Sequence, residues 1–472
     1  MELFNKYNAR YLLSPKILYI AIALFYYTFH TNRSKYIKDN FNINPGVIGL
    51  YMVIPQTLSL LTGIKIGSIS DKYGIQKYIL LFAVSVGTSV FITMLTLPKI
   101  TFYLYFTLFT FYFILVSISL PLIDKITYDF LEKTENASSN NYGSQRVFNT
   151  ITFLFMGFII EAIIKQDEYG VNHYNGLPIF ALFAGVVAFI AVSLLVKNLD
   201  RQESSSGTLS SSLVLFKNFE YTFLITLIFF NGITRAAMTQ FLSHFYDSQM
   251  KFKAEVSKGS KSKLMYFILS NKLALLNTAG MVVEIPLFFM SSVIIGRIGY
   301  LWPLLLAQVF QMIRMVGYSL LGKDTPNAFY ISLGLELCKG FNFGLTQMSA
   351  TKLAHSLCPS YLKSTSQLVY NGVFIGLGSA VSYLLAYFAL GSGNVKSYHL
   401  LFIGCAIITF LCICLMVLKY GFIDGYLTNY QKLQEKIDKL HETEEDIIIP
   451  GQSSFKDDQL YNKKETLRDI KV

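Results

Sequence analysis

The sequence predicts an all-α membrane protein of twelve transmembrane helices arranged as two six-helix bundles. Three observations predict it. Hydrophobic residues make up 53% of the 472 and charged residues 15%, with a mean hydropathy of +0.45. A soluble domain carries about 25% charged residues, so much of this chain is built to meet lipid. Apolar runs of about 20 residues, the length that crosses the hydrocarbon core as a helix, recur with short polar gaps between them. A longer polar stretch, 198–218, holds Ser204, Ser205, Ser206, Ser210, Ser211 and Ser212 and divides those runs six and six.

In chain order, the first six spans are expected near 12–31, 46–66, 78–97, 102–124, 143–165 and 176–197. Residues 1–16 are polar and carry Lys6, Arg10 and Lys16; no small-residue cleavage site follows the run from Ile17 to Phe29, so that run is expected to stay as the first span. After the serine-rich linker, spans are expected near 219–240, 266–295, 301–321, 327–350, 364–390 and 398–419. The domain division is therefore 1–197 for the first bundle, 198–218 for a cytosolic linker, 219–419 for the second bundle and 420–472 for a charged cytosolic tail, part helix and part disorder.

Lys and Arg in short loops orient the chain. With the N-terminus inside, Lys72, Lys77, Lys197, Arg201, Lys217, Arg297, Lys352 and Lys363 gather on the inner side. The segment 241–265, with Lys251, Lys253, Lys258, Lys261 and Lys263, runs against this arrangement. The net charge of +11 fits contact with anionic inner-leaflet lipid rather than nucleic acid, for which no structured module is visible. No Walker loop and no zinc-ligand cluster is present, so no cofactor, no metal and no enzyme activity is expected. Four of the five cysteines (Cys338, Cys358, Cys405, Cys412, Cys414) lie in or beside apolar runs and read as buried thiols. His30 reads as a structural histidine. The acceptor pattern at Asn136 falls in an expected cytosolic loop, where it stays unmodified.

The loop after the second span reads Gly67-Ser68-Ile69-Ser70-Asp71-Lys72-Tyr73-Gly74-Ile75-Gln76-Lys77. It resembles the signature G-x-x-x-D-[RK]-x-G-x-x-[RK] of the major facilitator superfamily, which lies between spans two and three. The resemblance implies two bundles that rock about a central site, with Gly67, Asp71, Lys72 and Gly74 as a conformational latch. Glycines let the backbone turn there, and Asp71 can accept from a helix N-terminus of its own half. The second half keeps only Gly296-Arg297-Ile298-Gly299, without the acid.

Further segments resemble the lactose permease group of oligosaccharide:proton symporters and its eukaryotic relatives. Pro121-Leu122-Ile123-Asp124 ends span four and Tyr142-Gly143-Ser144-Gln145-Arg146 opens span five. Ile313-Arg314-Met315-Val316-Gly317, Gly340-Phe341-Asn342-Phe343 and the run from Gly372 to Gly378 follow its later spans. The resemblance implies substrate binding by Asp124 and Arg146, and by an acid in span eight and an arginine in span nine that also serve the proton. It covers 45–390 in patches.

Ionisable residues inside spans cost about 2.5–3.5 kcal/mol on insertion scales, so they face a cavity or a partner. Asp124 and Arg146 can offset each other's desolvation, and an arginine fork beside a carboxylate suits hydroxyl-bearing ligands. Asn149 shares Arg146's helix face. Glu284 is deep in span eight; loss of water disfavours an ionised acid, which makes it the expected proton carrier, with Arg314 as its natural partner. Glu336 and Lys339 share a face of span ten and join Arg314 in the expected substrate set. The lactose permease group has a lysine, a histidine and a glutamate where this chain has Glu336, Lys339 and Asn342, and acids near Arg235. The charges are thus partly inverted, an Arg235–Glu336 pair is expected, and Asn342 cannot release a proton. The expected function is secondary transport of a small polar organic solute, a sugar, nucleoside or similar, by a monomer embedded in membrane lipid, with protons as candidate co-substrate. The competing readings are a non-transporting receptor or scaffold and an uncoupled uniporter.

Overall fold

A computed structural model describes residue 8 and residues 11–134, 142–166, 172–196, 215–246, 250, 272–322, 325–358, 363–390 and 395–447. Every expected span meets a helix. In the first half these are α1 (Leu13–Tyr27), with a short α2 (Arg33–Phe41) after it, α3 (Pro45–Tyr73), α4 (Gln76–Thr96), α5 (Phe102–Ser117) continued by α6 (Ser119–Lys133), α7 (Tyr142–Ile163) and α8 (Leu177–Leu195). A two-stranded hairpin, β1 (Lys165–Gln166) and β2 (Asn172–His173), joins the last two. In the second half α9 (Phe219–Phe245) is followed by α10 (Lys272–Phe289) with α11 (Ser291–Ile298), then α12 (Leu301–Leu320) and α13 (Ala328–Ser356). Next come α14 (Lys363–Asn371), a π-helical stretch Gly372–Leu377 and α15 (Gly378–Ala389), then α16 (Val395–Met416) with a π-helical end Val417–Ile423, and the tail helix α17 (Tyr430–Ile447).

Local chemistry sets the breaks. Asn44 caps α3 by accepting from the Gly46 amide at 2.9 Å, with Pro45 at the first helical position. The helix stops at Gly74, whose φ of 67° is the left-handed conformation that glycine adopts without strain. Between α5 and α6, Pro121 cannot donate to the Ser117 carbonyl, so one membrane-length column is jointed at Ile118.

Small residues face neighbours and large ones face lipid. On α8, Ala181, Ala184, Ala188 and Ala191 are buried, whereas Leu182, Phe183, Val186, Phe189 and Leu194 are exposed. A soluble helix would reverse this; in lipid, close backbone approach rather than apolar burial drives helix association. Eight helices among the described residues are long and apolar enough to cross a membrane, and α10 with α11 forms a ninth, bent candidate. α1 is apolar but short, and α12 and α13 are diluted by the polar residues of the site; with these three the columns number twelve.

The first six columns pack on one another and so do the last six. α3 against α15 and α7 against α10 join the two sets. The tail helix, only partly anticipated, docks under the second set. Its Leu433 and Ile437 are buried, Trp302 Nε1 donates to the Leu427 carbonyl at 2.9 Å, and Lys436 Nζ donates to Glu220 Oε1 at 2.6 Å. Partial burial works against the Lys436 ammonium and is the largest single effect, but Glu220 and Tyr426 together outweigh it and raise its pKa above the ordinary lysine value.

Candidate functional site

The charged residues singled out from the sequence fall into three groups, one within the first set of helices, one across the contact of the two sets and one within the second. In the first, α6 and α7 bring Asp124 and Arg146 together, Nη1 to Oδ2 at 3.5 Å. Tyr19 of α1 donates to Asp124 Oδ1 at 2.7 Å, Arg146 donates to the Tyr142 hydroxyl at 2.8 Å, and Asn149 donates to the Tyr27 hydroxyl at 3.0 Å. The anticipated face of α7 is thus present. Tyr19 and Tyr142 complete it; Tyr142 opens the span-five motif that carried the resemblance, whereas Tyr19 stood out in the sequence only as one of many tyrosines.

In the second group Glu284, 4% exposed, accepts from the Thr150 hydroxyl at 2.7 Å. This bond crosses from α7 to α10 and so links the halves. Arg314 is not its partner. In the third group Arg314 instead grips Glu336 on the neighbouring α13: Nη2 lies 2.7 Å from Oε1 and 3.0 Å from Oε2, and Nε lies 3.1 Å from Oε1. Tyr318 also donates to Oε1, at 2.8 Å, and Lys339 Nζ stands at 3.9 Å from Oε2. Both partners of this fork are almost wholly buried, at 2% and 1% exposure.

The expected Arg235–Glu336 pair is corrected by this arrangement. The oxygens of Glu336 are already taken by Arg314 and Tyr318, and α12 and α13 are direct neighbours along their length. Arg235 lies with its guanidinium 4.7 Å from the centre of the Phe374 ring, and its buried Nε has no hydrogen-bond partner. Asn342 is held neutrally, donating to the Ala307 carbonyl at 3.0 Å.

Arg33 escaped the sequence reading because it follows the apolar run of span one and looks like a loop residue. It is 4% exposed and donates to Gln240 Oε1 at 3.1 Å and to the Tyr383 hydroxyl at 3.2 Å. Beside it Tyr26 and Tyr27 of α1, His30 in the turn that follows and Phe153 of α7 form an aromatic cluster, with Tyr27 and Phe153 stacked at 4.3 Å. An arginine closing a run of aromatic residues was the available signal.

Two clefts open in this region. The larger, about 790 Å³ with its mouth, lies between α3, α5, α6 and the π-helical stretch, lined by Tyr26, Gln56, Phe113 and Asn371 among others. The smaller, about 290 Å³, shares Tyr26, Phe113 and Ser117 with it and is lined by His30 and Arg33. Neither is lined by Asp124, Glu284 or Glu336. Of the latch, Gly74 has the turn conformation described above; the side chains of Asp71 and Lys72, and Gly67 beyond its helical backbone, lie outside the described residues, as do most of the serine-rich linker and the lysine-rich 251–265. No group of metal-binding side chains occurs among the described residues.

Residues 24–400 match the MFS_1 like family. No curated protein sequence matches the chain. Among solved structures, the chain is similar to the nucleoside transporter NupG, with a TM-score of 0.67 and 13% identity over 87% of this chain and 99% of that one. A point-substituted form of NupG gives a TM-score of 0.70 at 13% identity, over 86% and 99% of the two chains. A bacterial homologue of the human lysosomal transporter Spinster, in an inward-facing and unoccupied conformation, gives a TM-score of 0.58 at 13% identity, over 87% and 96%. The match is at the level of the MFS_1 like family rather than of the lactose permease group.

Proposed function

This chain belongs to the MFS_1 like family, and we propose that it moves a small polar organic solute across the membrane by alternating access, with Glu284 as the group that couples a proton to the movement. It is a multi-pass integral membrane protein of the transporter class. The bundles 1–197 and 219–419 would rock about the α3–α15 and α7–α10 contacts, joined by the linker 198–218.

One observation carries the coupling role. Of the three carboxylates of the candidate site, Asp124 and Glu336 each face an arginine of their own half, whereas Glu284 is held by the Thr150 hydroxyl of the other half, with no basic group within ion-pair distance among the described residues. A proton there removes a buried charge at the contact of the two halves, so occupancy and closure become linked. Asp124, Arg146 and Asn149 would bind substrate hydroxyls from the first half. Lys339, less buried than its neighbours, would reach from the second. The saturated Arg314–Glu336 fork favours positioning of α12 and α13 over direct contact with solute.

A second reading, an uncoupled uniporter, draws on Asn342, which stands neutral where the resembled symporters hold an acid. Purified protein in proteoliposomes, loaded with candidate solutes, separates the readings. Uptake that rises with an imposed inward proton gradient supports coupling, gradient-independent exchange supports the uniporter, and no movement of any solute overturns transport.

A further inference from the structure

The ionisable groups singled out in and near the site do not balance among the described residues. Five cations (Arg33, Arg146, Arg235, Arg314 and Lys339) stand against three carboxylates, Asp124, Glu284 and Glu336, while a further acid, Glu161, is taken by the Ala274 amide at the α7–α10 contact. Arg146 and Arg314 have acid partners. Arg33 and Arg235 have none within ion-pair distance among the described residues: Arg33 is bonded to the neutral Gln240 and Tyr383, and Arg235 rests on Phe374 with its Nε unbonded. Arg33 is bonded to Gln240, five residues past Arg235 on α9, so the two arginines lie along the same stretch of that helix.

A guanidinium cannot shed its proton to escape burial. Two such charges kept in a low-dielectric interior without counter-charge are expensive, and inside a membrane they mark a pathway for a charge of opposite sign. Space opens beside Arg33, which lines the smaller cleft. Arg235 lines neither cleft; it stands on Phe374, and Gly372, Ile375 and Gly376 of the same stretch line the larger one.

Resting on the transport reading, we infer that the solute is a small organic anion, a carboxylate or phosphate on a ring-bearing or apolar body, whose acidic group pairs with Arg235, with Arg33 as the second cation of the site. Arginine forks match both oxyanions bidentately. The aromatic cluster of Tyr26, Tyr27, His30 and Phe153 supplies the wall for the body. Proton coupling through Glu284 is compatible with this, because neutralising that acid adds to the positive character of the site.

The test uses the full chain in nanodiscs with matched pairs: uridine 5′-monophosphate against uridine, 3-phenylpropionate against its amide, and inorganic phosphate and chloride as controls. At least one organic anion should raise the melting temperature where its neutral partner does not, and the pair that responds tells phosphate from carboxylate. Arg235→Gln should weaken that anion at least tenfold, with Arg235→Lys in between. The ligand-free Arg235→Gln protein should melt higher than the parent, because a half-buried charge that meets no acid among the described residues has been removed; an arginine with a merely structural role would give the opposite sign. Neutral partners binding as well as anions, inorganic ions alone binding, no anion binding at all, or unchanged anion affinity in Arg235→Gln would each overturn the inference. Counterflow in proteoliposomes keeps the two readings apart. Neutral solutes moving while anions do not sinks the anion site but not transport, and anions binding without moving sinks transport but not the site.

Discussion

Glu284 and Glu336 are both buried acids on second-half helices, yet their surroundings assign them different work. Glu284 accepts one hydroxyl bond from Thr150 across the halves, whereas Glu336 is clamped by a bidentate guanidinium and a tyrosine. Glu284→Gln mimics the protonated acid and keeps an acceptor for Thr150. Accumulation driven by a proton gradient should therefore vanish in proteoliposomes while solute exchange persists; accumulation that survives would return Glu284 to a structural role. Arg314→Met should behave quite differently. It leaves Glu336 charged and buried without its main partner, a loss of about 3–5 kcal/mol, visible as a lowered melting temperature in detergent. Adding Glu336→Leu should recover much of it, because a well-packed apolar pair does not need the charge balance. The sequence placed each of these residues inside a span from hydropathy alone. It could not say which acid Arg314 would take, since 3.6-residue periodicity fixes a residue's face but not the identity of the helix opposite.

Helix contacts turn on a few small residues. At the crossing of α10 and α13, a Cβ on Gly340 would stand 2.0 Å from the Gly280 carbonyl oxygen, so the two backbones touch directly. Gly340→Ala must push the helices apart and should lower folded yield on size-exclusion chromatography, whereas Gly334→Ala on the same helix, with nothing within 4 Å, should not. The latch loop makes a prediction of another kind. Asp71→Asn should preserve folding but slow switching, seen as a lower exchange rate at equal expression; an unchanged rate would remove the latch role. The spans themselves were legible because hydropathy over a whole membrane thickness is a strong signal. The short α2 and the joint at Ile118 were not, since each depends on a few residues in which capping, proline geometry and tertiary contact compete.

Across the whole molecule, orientation and the tail can be tested together. Single cysteines at Ser205 and Ser453 in a cysteine-free background should label from the same side, because both follow an even number of spans; labelling from opposite sides would overturn the twelve-span topology. Lys436→Glu places two acids together at Glu220 and should free α17, measured as faster proteolysis within 430–447. The raised pKa of Lys436 gives the sign of the pH effect: the contact is intact at neutral pH and is lost only as pH rises through that elevated value in the alkaline range. The sequence by itself determined that the chain spans the membrane with helices, where each span lies, and most of the ionisable groups carried inside, because lipid imposes length and polarity on each segment separately; it did not fix helix ends such as those at Tyr73 and Lys133, nor the burial of Arg33. The tertiary structure decided which charges meet: that Arg314 belongs to Glu336, that Glu284 faces the other half, and that Arg33 and Arg235 pair with no acid among the described residues. Those outcomes depend on which helices become neighbours, and pairing between residues hundreds of positions apart leaves no trace in the local pattern of a single chain.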